Sequence, residues 1–158
     1  MEKILSREAV RRRVAELRAE GKTIVFTNGC FDILHVGHVR YLREAKKAGD
    51  VLVLGLNSDA SVRAIKGHKR PLVPQEERAD ILAELSSVDY VTIFDEPTPQ
   101  ALIEELAPDV LVKGGDWREE EIAGAAFVRG RGGKVMIVPL TEGRSTTNVV
   151  EKIRSLYG

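Results

Sequence analysis

Thr27-Asn28-Gly29-Cys30-Phe31-Asp32-Ile33-Leu34-His35-Val36-Gly37-His38 is the stretch on which the reading of this chain turns. Thr23 to Asn28 is apolar and β-branched, which predicts a strand. Downstream, Val39, Leu42 and Ala45 recur at helical spacing and predict a helix with those three side chains turned inward. A strand that turns through Gly29 into a helix start gathers backbone N–H groups and a positive dipole end at one spot. His35 and His38, three residues apart, can meet on one face of the first turn. Gly37 between them has no Cβ, so a ligand can approach the backbone. The combination suits a polyanion, most simply the phosphate chain of a nucleotide. A second chemistry stays open. Cys30, Asp32, His35 and His38 are all metal-ligand types, and a site of two histidines and one carboxylate is conceivable. Against it, no second His/Cys cluster is present to complete a closed site.

Working outward, the 158 residues fit one domain, 1–158, with an ordinary core. Apolar residues make up 43% and charged residues 30%, the balance of a globular protein. Lys plus Arg equals Asp plus Glu at 24 each, so the basic excess of a nucleic-acid binder is missing and no nucleic-acid partner is expected. Cys30 is the only cysteine, which rules out an intrachain disulfide and a Cys-rich zinc module. No signal peptide and no membrane-length apolar run is legible, so a cytoplasmic protein with no membrane partner is expected.

Along the chain, strand and helix patterns alternate. A helix is predicted from Arg7 to Glu20, capped by Ser6, with Val10, Val14 and Leu17 inward. Arg11, Arg12 and Arg13 fan out on its solvated face. Val51 to Leu56 is a second strand, and Asn57-Ser58-Asp59 starts a short helix. Lys66-Gly67-His68-Lys69-Arg70-Pro71 is either a solvated loop or a basic flap that closes over phosphates. Pro74 opens a helix from Gln75 to Ser86, with Ile81, Leu82 and Leu85 inward. Val88 to Phe94 is the third strand, and Thr98-Pro99 starts a helix through Leu106. Val110 to Val112 is the fourth strand, opening into Lys113-Gly114-Gly115-Asp116-Trp117. A helix from Glu119 to Arg129, a fifth strand from Lys134 to Val138, and a last helix with Val149, Ile153 and Leu156 inward complete the set. The alternation predicts an α/β fold: a doubly wound, five-stranded parallel sheet of Rossmann-like type. Such a sheet binds ligands at the carboxyl ends of its strands. Asn28 to His38, Asn57 to Asp59, Lys113 to Asp116 and Arg144 to Asn148 all follow a strand's end.

No catalytic Ser-His-Asp order, Walker-type loop or Gly-x-Gly-x-x-Gly follows the first strand. The inventory is electrostatic: histidines, lysines, arginines and helix starts. It suits nucleotidyl transfer, in which an ionised phosphate attacks the α-phosphorus of a nucleoside triphosphate and pyrophosphate leaves. The nucleophile already carries its charge, so the protein has only to align two phosphates and neutralise charge as it builds. Beside a triphosphate, His35 and His38 are expected in their protonated, doubly donating form.

Here the sequence resembles the His-x-Gly-His nucleotidylyltransferases. Thr27 to His38 matches their first signature. Asn57-Ser58-Asp59, Lys66, Arg70-Pro71, Arg78, Lys113-Gly114-Gly115-Asp116 and Gly143-Arg144-Ser145-Thr146-Thr147 match later ones, so the likeness spans residues 22 to 156. Within that group the chain is most similar to the adenylyltransferase domain of bacterial heptose phosphate biosynthesis, in a stand-alone version. The resemblance implies adenylyl transfer from ATP to D-glycero-β-D-manno-heptose 1-phosphate, with Mg²⁺ bound through the ATP phosphates. It also implies a homodimer and a separate sugar kinase in the same pathway. It assigns catalysis to His35, His38 and Lys66. Nucleotide binding falls to Thr27, Asn28, Gly29, Phe31, Gly37, Lys69, Arg78, Ser145 and Thr146 besides the histidines. Substrate binding falls to Asn57, Asp59, Arg70, Lys113, Gly114, Asp116 and Arg144. No protein side chain is expected to ligate a metal. Cytidylyltransferases of the superfamily typically carry Arg-Thr-x-Gly-Ile-Ser-Thr before the last helix. Here Leu140 fills the first position and Arg144 the fifth, which favours ATP and a sugar phosphate over CTP and glycerol 3-phosphate. A glycerol-3-phosphate cytidylyltransferase and a non-catalytic nucleotide-binding module remain the alternatives.

Overall fold

The computed structural model describes residues 2–115, 117–139 and 145–158. Asp116, Leu140 and Arg144, three positions singled out in the sequence, lie outside the described residues. The elements run α1 (Arg7–Ala19), β1 (Ile24–Gly29), α2 (Val36–Lys46), β2 (Val51–Asn57), α3 (Asp59–Lys66), α4 (Gln75–Ala83), β3 (Tyr90–Phe94), α5 (Gln100–Leu106), β4 (Val110–Gly114), α6 (Ala125–Gly130), β5 (Lys134–Val138) and α7 (Thr146–Tyr157). Every strand pair is parallel, in the order β3-β2-β1-β4-β5. Winding therefore reverses between β1 and β4, and the crevice beyond their carboxyl ends is where such a sheet receives ligands.

Both faces of the sheet are covered, which is why its central strands read as unbroken apolar runs. Ile24 and Phe26 of β1 pack with Val10, Val14 and Leu17 of α1 and with Leu102, Ile103 and Leu106 of α5. Val25, of opposite parity, packs with Leu42 and Ala45 of α2 and Leu82 of α4. Ser6 caps α1 as expected, its Oγ accepting from the Ala9 N–H at 3.1 Å.

Three helices differ from the sequence reading. In α4, Ile81 is exposed and Leu85 only partly buried, while Arg78, Ala79 and Leu82 turn inward. Helical periodicity assumes that charge faces water, and here a buried arginine takes an inward position. The helix expected from Glu119 to Arg129 is broken into a 3₁₀ turn, Glu119–Glu121, and α6. Gly124 separates them at φ 84°, and a Cβ there would lie 2.6 Å from Ile103 Cδ1. In α7 no residue is buried: Ile153 is 53% and Leu156 62% exposed. The apolar stripe exists, but only its first residue, Val149, is partly covered among the described residues.

Candidate active site

The turn after β1 is built for close approach. A Cβ on Gly29 would lie 2.7 Å from the Phe31 ring, so glycine makes room for that ring. Phe31 itself has φ 46°, a left-handed conformation that costs a non-glycine residue on the order of 1 kcal/mol or more and that marks functional turns. Its ring tilts against His38 at a centroid distance of 5.3 Å.

His35 is the N-cap of α2, and its Nδ1 accepts from the Gly37 N–H at 3.1 Å. His38 reaches back, its Nδ1 accepting from the His35 N–H at 3.3 Å. The two imidazoles thus form a reciprocal capping box in place of the usual hydroxyl and carboxylate, with ring centroids 4.0 Å apart. A nitrogen that accepts carries no proton, so each neutral ring holds its proton on Nε2. Burial first, then the neighbouring His35 and Lys66, lower the pKa of His38 to about 4. The sequence expectation of doubly donating imidazolium concerned rings beside a triphosphate; in the unliganded pocket His38 is neutral. The cap has already claimed both Nδ1 atoms, so a neutral ring keeps Nε2–H as its donor, and that of His35 is buried.

These histidines line a pocket of about 300 Å³ with Asn28, Gly29, Cys30, Phe31, Asp32, Gly37, Tyr41, Lys66, Lys113, Gly114, Ser145, Thr146 and Thr147. Two helix N-termini, those of α2 and α7, converge on it. Ser145 caps α7 by accepting from the Asn148 N–H at 3.0 Å, and the Thr146 hydroxyl donates to the Ile33 carbonyl at 3.1 Å, tying α7 to the β1–α2 turn. Lys66 enters from the end of α3 and Lys113 from the end of β4. The Lys113 ammonium lies 5.1 Å from the centre of the Trp117 ring, and burial lowers its pKa. Burial raises the Cys30 thiol, against the pull of Lys66, Arg78 and Lys113, so it stays protonated at neutral pH.

Several polar residues read as ligand contacts hold the framework instead, outside the pocket wall. Thr27 is fully buried, bonded to Tyr41 and the Val112 carbonyl. Arg78 is 1% exposed and spends its donors internally: on the carbonyls of Val73, Cys30 and Asn57 and on the Asp59 carboxylate at 2.8 Å. Asn57 donates to the Ser61 hydroxyl. Arg70 pairs with Asp32 at 3.1 Å, and Lys69 is exposed beyond the pocket. Asp32 also accepts from the N–H groups of Leu72 and Val73. Burial opposes its ionisation, but these donors outweigh it and hold the carboxyl below its usual range. The flap that starts at Lys66 is therefore anchored at its far end. Sequence reasoning missed Tyr41 as a pocket residue and named Cys30 and Asp32 only as metal-ligand types, although both line the pocket. Tyr41 had a signal, because it lies three residues after His38 on the same helical face.

The metal-site alternative finds no support in this geometry. Asp32 is committed to Arg70 and the backbone, and both histidines use Nδ1 on the cap. Among the described residues no group of three or more His, Cys, Asp or Glu side chains could hold a metal ion.

A doubly wound sheet with paired imidazole donors, two helix N-termini and two lysines at its switch point defines a class of enzyme, the nucleotidyltransferases of His-x-Gly-His type. The chain belongs to the cytidylyltransferase-like family, which it matches over residues 26–152. It is 56% identical over 155 residues to the bifunctional protein HldE of Syntrophotalea carbinolica, covering 98% of this chain and 32% of that protein. To the bifunctional protein HldE of Geobacter sulfurreducens it is 59% identical over 145 residues, covering 92% of this chain and 30% of that protein. The chain thus spans about a third of the length of these curated relatives. Among solved structures, the lipopolysaccharide core biosynthesis protein of Thermoplasma volcanium is similar at a TM-score of 0.64 and 30% identity, covering 78% of this chain and all of the other.

Proposed function

We propose that this nucleotidyltransferase moves an adenylyl group from ATP to D-glycero-β-D-manno-heptose 1-phosphate, forming ADP-heptose and pyrophosphate. The acceptor's phosphate oxygen attacks the α-phosphorus, a new P–O bond forms, and the bond to the β-phosphate bridging oxygen breaks with its electron pair leaving on pyrophosphate. The observation that carries the reading is the convergence on one pocket of the His35 and His38 imidazoles, the heads of α2 and α7, and the side chains of Lys66 and Lys113. Such an array stabilises charge as it builds and asks no proton transfer of the protein. The choice of sugar rests on the likeness to HldE proteins and on Leu140 and Arg144 standing where cytidylyltransferases differ.

The pocket wall fits Mg²⁺ carried by ATP rather than by protein. Among the described residues its only carboxylate, Asp32, is already engaged. When bound, the cation neutralises phosphate charge, while Lys66 and the α7 hydroxyls hold the chain of phosphates. A sugar kinase would supply the 1-phosphate, and the cytoplasm would supply ATP. No helix among the described residues is long and apolar enough to cross a membrane. The uncovered flank of α7 is a candidate surface for the expected homodimer.

The test is direct competition: equal ATP and CTP offered with heptose 1-phosphate and with glycerol 3-phosphate, products resolved by mass. ADP-heptose is the expected product. A dominant CDP-glycerol peak would overturn the substrate assignment and leave the class standing.

A further inference from the structure

Behind the histidines lies a buried polar triangle that the transfer mechanism does not itself use. The Tyr41 hydroxyl, on α2, sits 2.5 Å from Thr27 Oγ1 on β1 and 3.1 Å from the Val112 carbonyl on β4, and Thr27 Oγ1 lies 3.0 Å from that same carbonyl. Two hydroxyl protons serve three contacts. Both hydroxyls reach the Val112 carbonyl as donors, and either can donate across the short contact between them, so the three groups form one closed cluster in which each bond polarises the next. Burial pushes the Tyr41 hydroxyl up to about 12, so it keeps its proton. Thr27 and Val112 have no exposed surface, and water cannot take over either partner's role.

Elsewhere α2 meets the sheet through apolar Leu42 and Ala45, and only at its far end, away from the histidines, does Lys46 Nζ donate to the Asp89 carboxylate at 2.6 Å. Apolar burial is non-directional and tolerates small slides and rolls. A hydroxyl with fixed partners does not. Tyr41 lies one turn beyond His38, and the residue after Val112 is Lys113. The triangle therefore joins the element that bears the imidazole donors to the strand that delivers the lysine.

We propose that Tyr41 is a positioning residue: through Thr27 and the Val112 carbonyl it sets where the head of α2, with His35 and His38, stands relative to the carboxyl end of β4. This rests on nucleotidyl transfer and not on the identity of the sugar. Neutral Nε2–H donors act only when aimed at the oxygens that gain charge, and a displacement near 1 Å can cost roughly 10²-fold in rate.

The experiment compares Tyr41→Phe, Thr27→Val and Thr27→Ser with the wild type, on whichever nucleotide and phosphate acceptor the wild type turns over. An error in substrate assignment then appears in the wild type, and an error in this proposal only in the variants. Tyr41→Phe keeps the ring and should lower kcat by about tenfold while leaving KM for both substrates within about twofold. Thr27→Val should do the same from the other side, and it carries the test if Tyr41→Phe fails to fold. Thr27→Ser, which keeps the hydroxyl, should restore most of the rate. Without any substrate, the His35 and His38 ring resonances should move in the first two variants and not in the third. A lower melting temperature with unchanged kcat and unchanged imidazole resonances would reduce the triangle to ordinary packing and overturn the proposal.

Discussion

His35 and His38 perform two tasks with two nitrogens each. Nδ1 caps the helix, and Nε2–H is the donor that the proposed transfer would use. Replacing His38 with Ala removes one directed donor, and kcat should fall by roughly 10² or more, the scale for an oxyanion-type donor. Affinity for ATP should change far less, because the lost stabilisation belongs to the transition state. Isothermal titration with ATP alongside turnover separates the two, and near-normal kcat would sink the mechanism. The pKa of His38, lowered by burial, His35 and Lys66 to about 4, gives a second prediction. Between the ordinary value of 6.5 and about 4 the unfolded chain binds a proton that the folded one refuses. The contribution to stability is complete above the ordinary value and is lost as pH falls toward 4. A histidine NMR titration of the unliganded protein should show His38 neutral, with its proton on Nε2, until well below pH 6. Titration near the ordinary value would contradict this. The motif was legible because strand, Gly29 and the histidine spacing agree. The protonation state was not, because it depends on which nitrogen the backbone N–H groups choose. Thr27, Asn57 and Arg78 show the converse difficulty. A polar residue at a strand's end looks the same in sequence whether it faces a ligand or ties the strand ends together.

At the level of elements, Arg78 is the bracket. It joins the turn after β1, the end of β2, the segment before α4 and the start of α3 through four partners. Arg78→Ala would leave the carbonyls of Cys30 and Asn57 without this donor and Asp59 without its cation, and should cost about 3–5 kcal/mol in denaturant unfolding. A loss below about 1 kcal/mol would mean that water replaces the guanidinium. The basic segment after α3 behaves differently. Gly67 leaves the helix at φ 97°, Lys69 is exposed, and Arg70 to Val73 are held on Asp32. Trypsin should cut the free protein after Lys66 or Lys69, and ATP with Mg²⁺ should slow that cleavage. Equal rates with and without nucleotide would make the segment a plain solvated loop. Its basic character was visible in sequence, but its anchor was not, since Asp32 and Arg70 are 38 residues apart. Likewise the start of α4 and its inward Leu82 were read correctly, while Ile81 was turned inward in place of Arg78 and Ala79. Hydrophobic periodicity has no means of showing that an arginine points inward.

Over the whole molecule, the alternation of patterns was enough to read a parallel doubly wound sheet, while the strand order that locates the crevice emerged only from the structure. The formal net charge is zero, so the attraction for phosphate is local to the switch point rather than a property of the overall field. If Mg²⁺ is held by ATP oxygens, chelation should abolish turnover yet leave the melting temperature of the nucleotide-free protein unchanged. A fall in melting temperature on chelation would reveal a metal held by the protein itself. The pocket draws on four separated segments: the β1–α2 turn, the end of β4, the end of α3 and the head of α7. The first two belong to the sheet, whose last strand ends at Val138, and α7 contributes no buried residue to the core. This gives the site a place in time. Because α7 buries nothing in the core, the five strands can pack without Ser145, Thr146 and Thr147, so folding competence is separable from chemical competence. The core can thus be settled before the proposed phosphate seat is complete, and that seat closes only when the head of α7 docks on the β1–α2 turn through Thr146 and the Ile33 carbonyl.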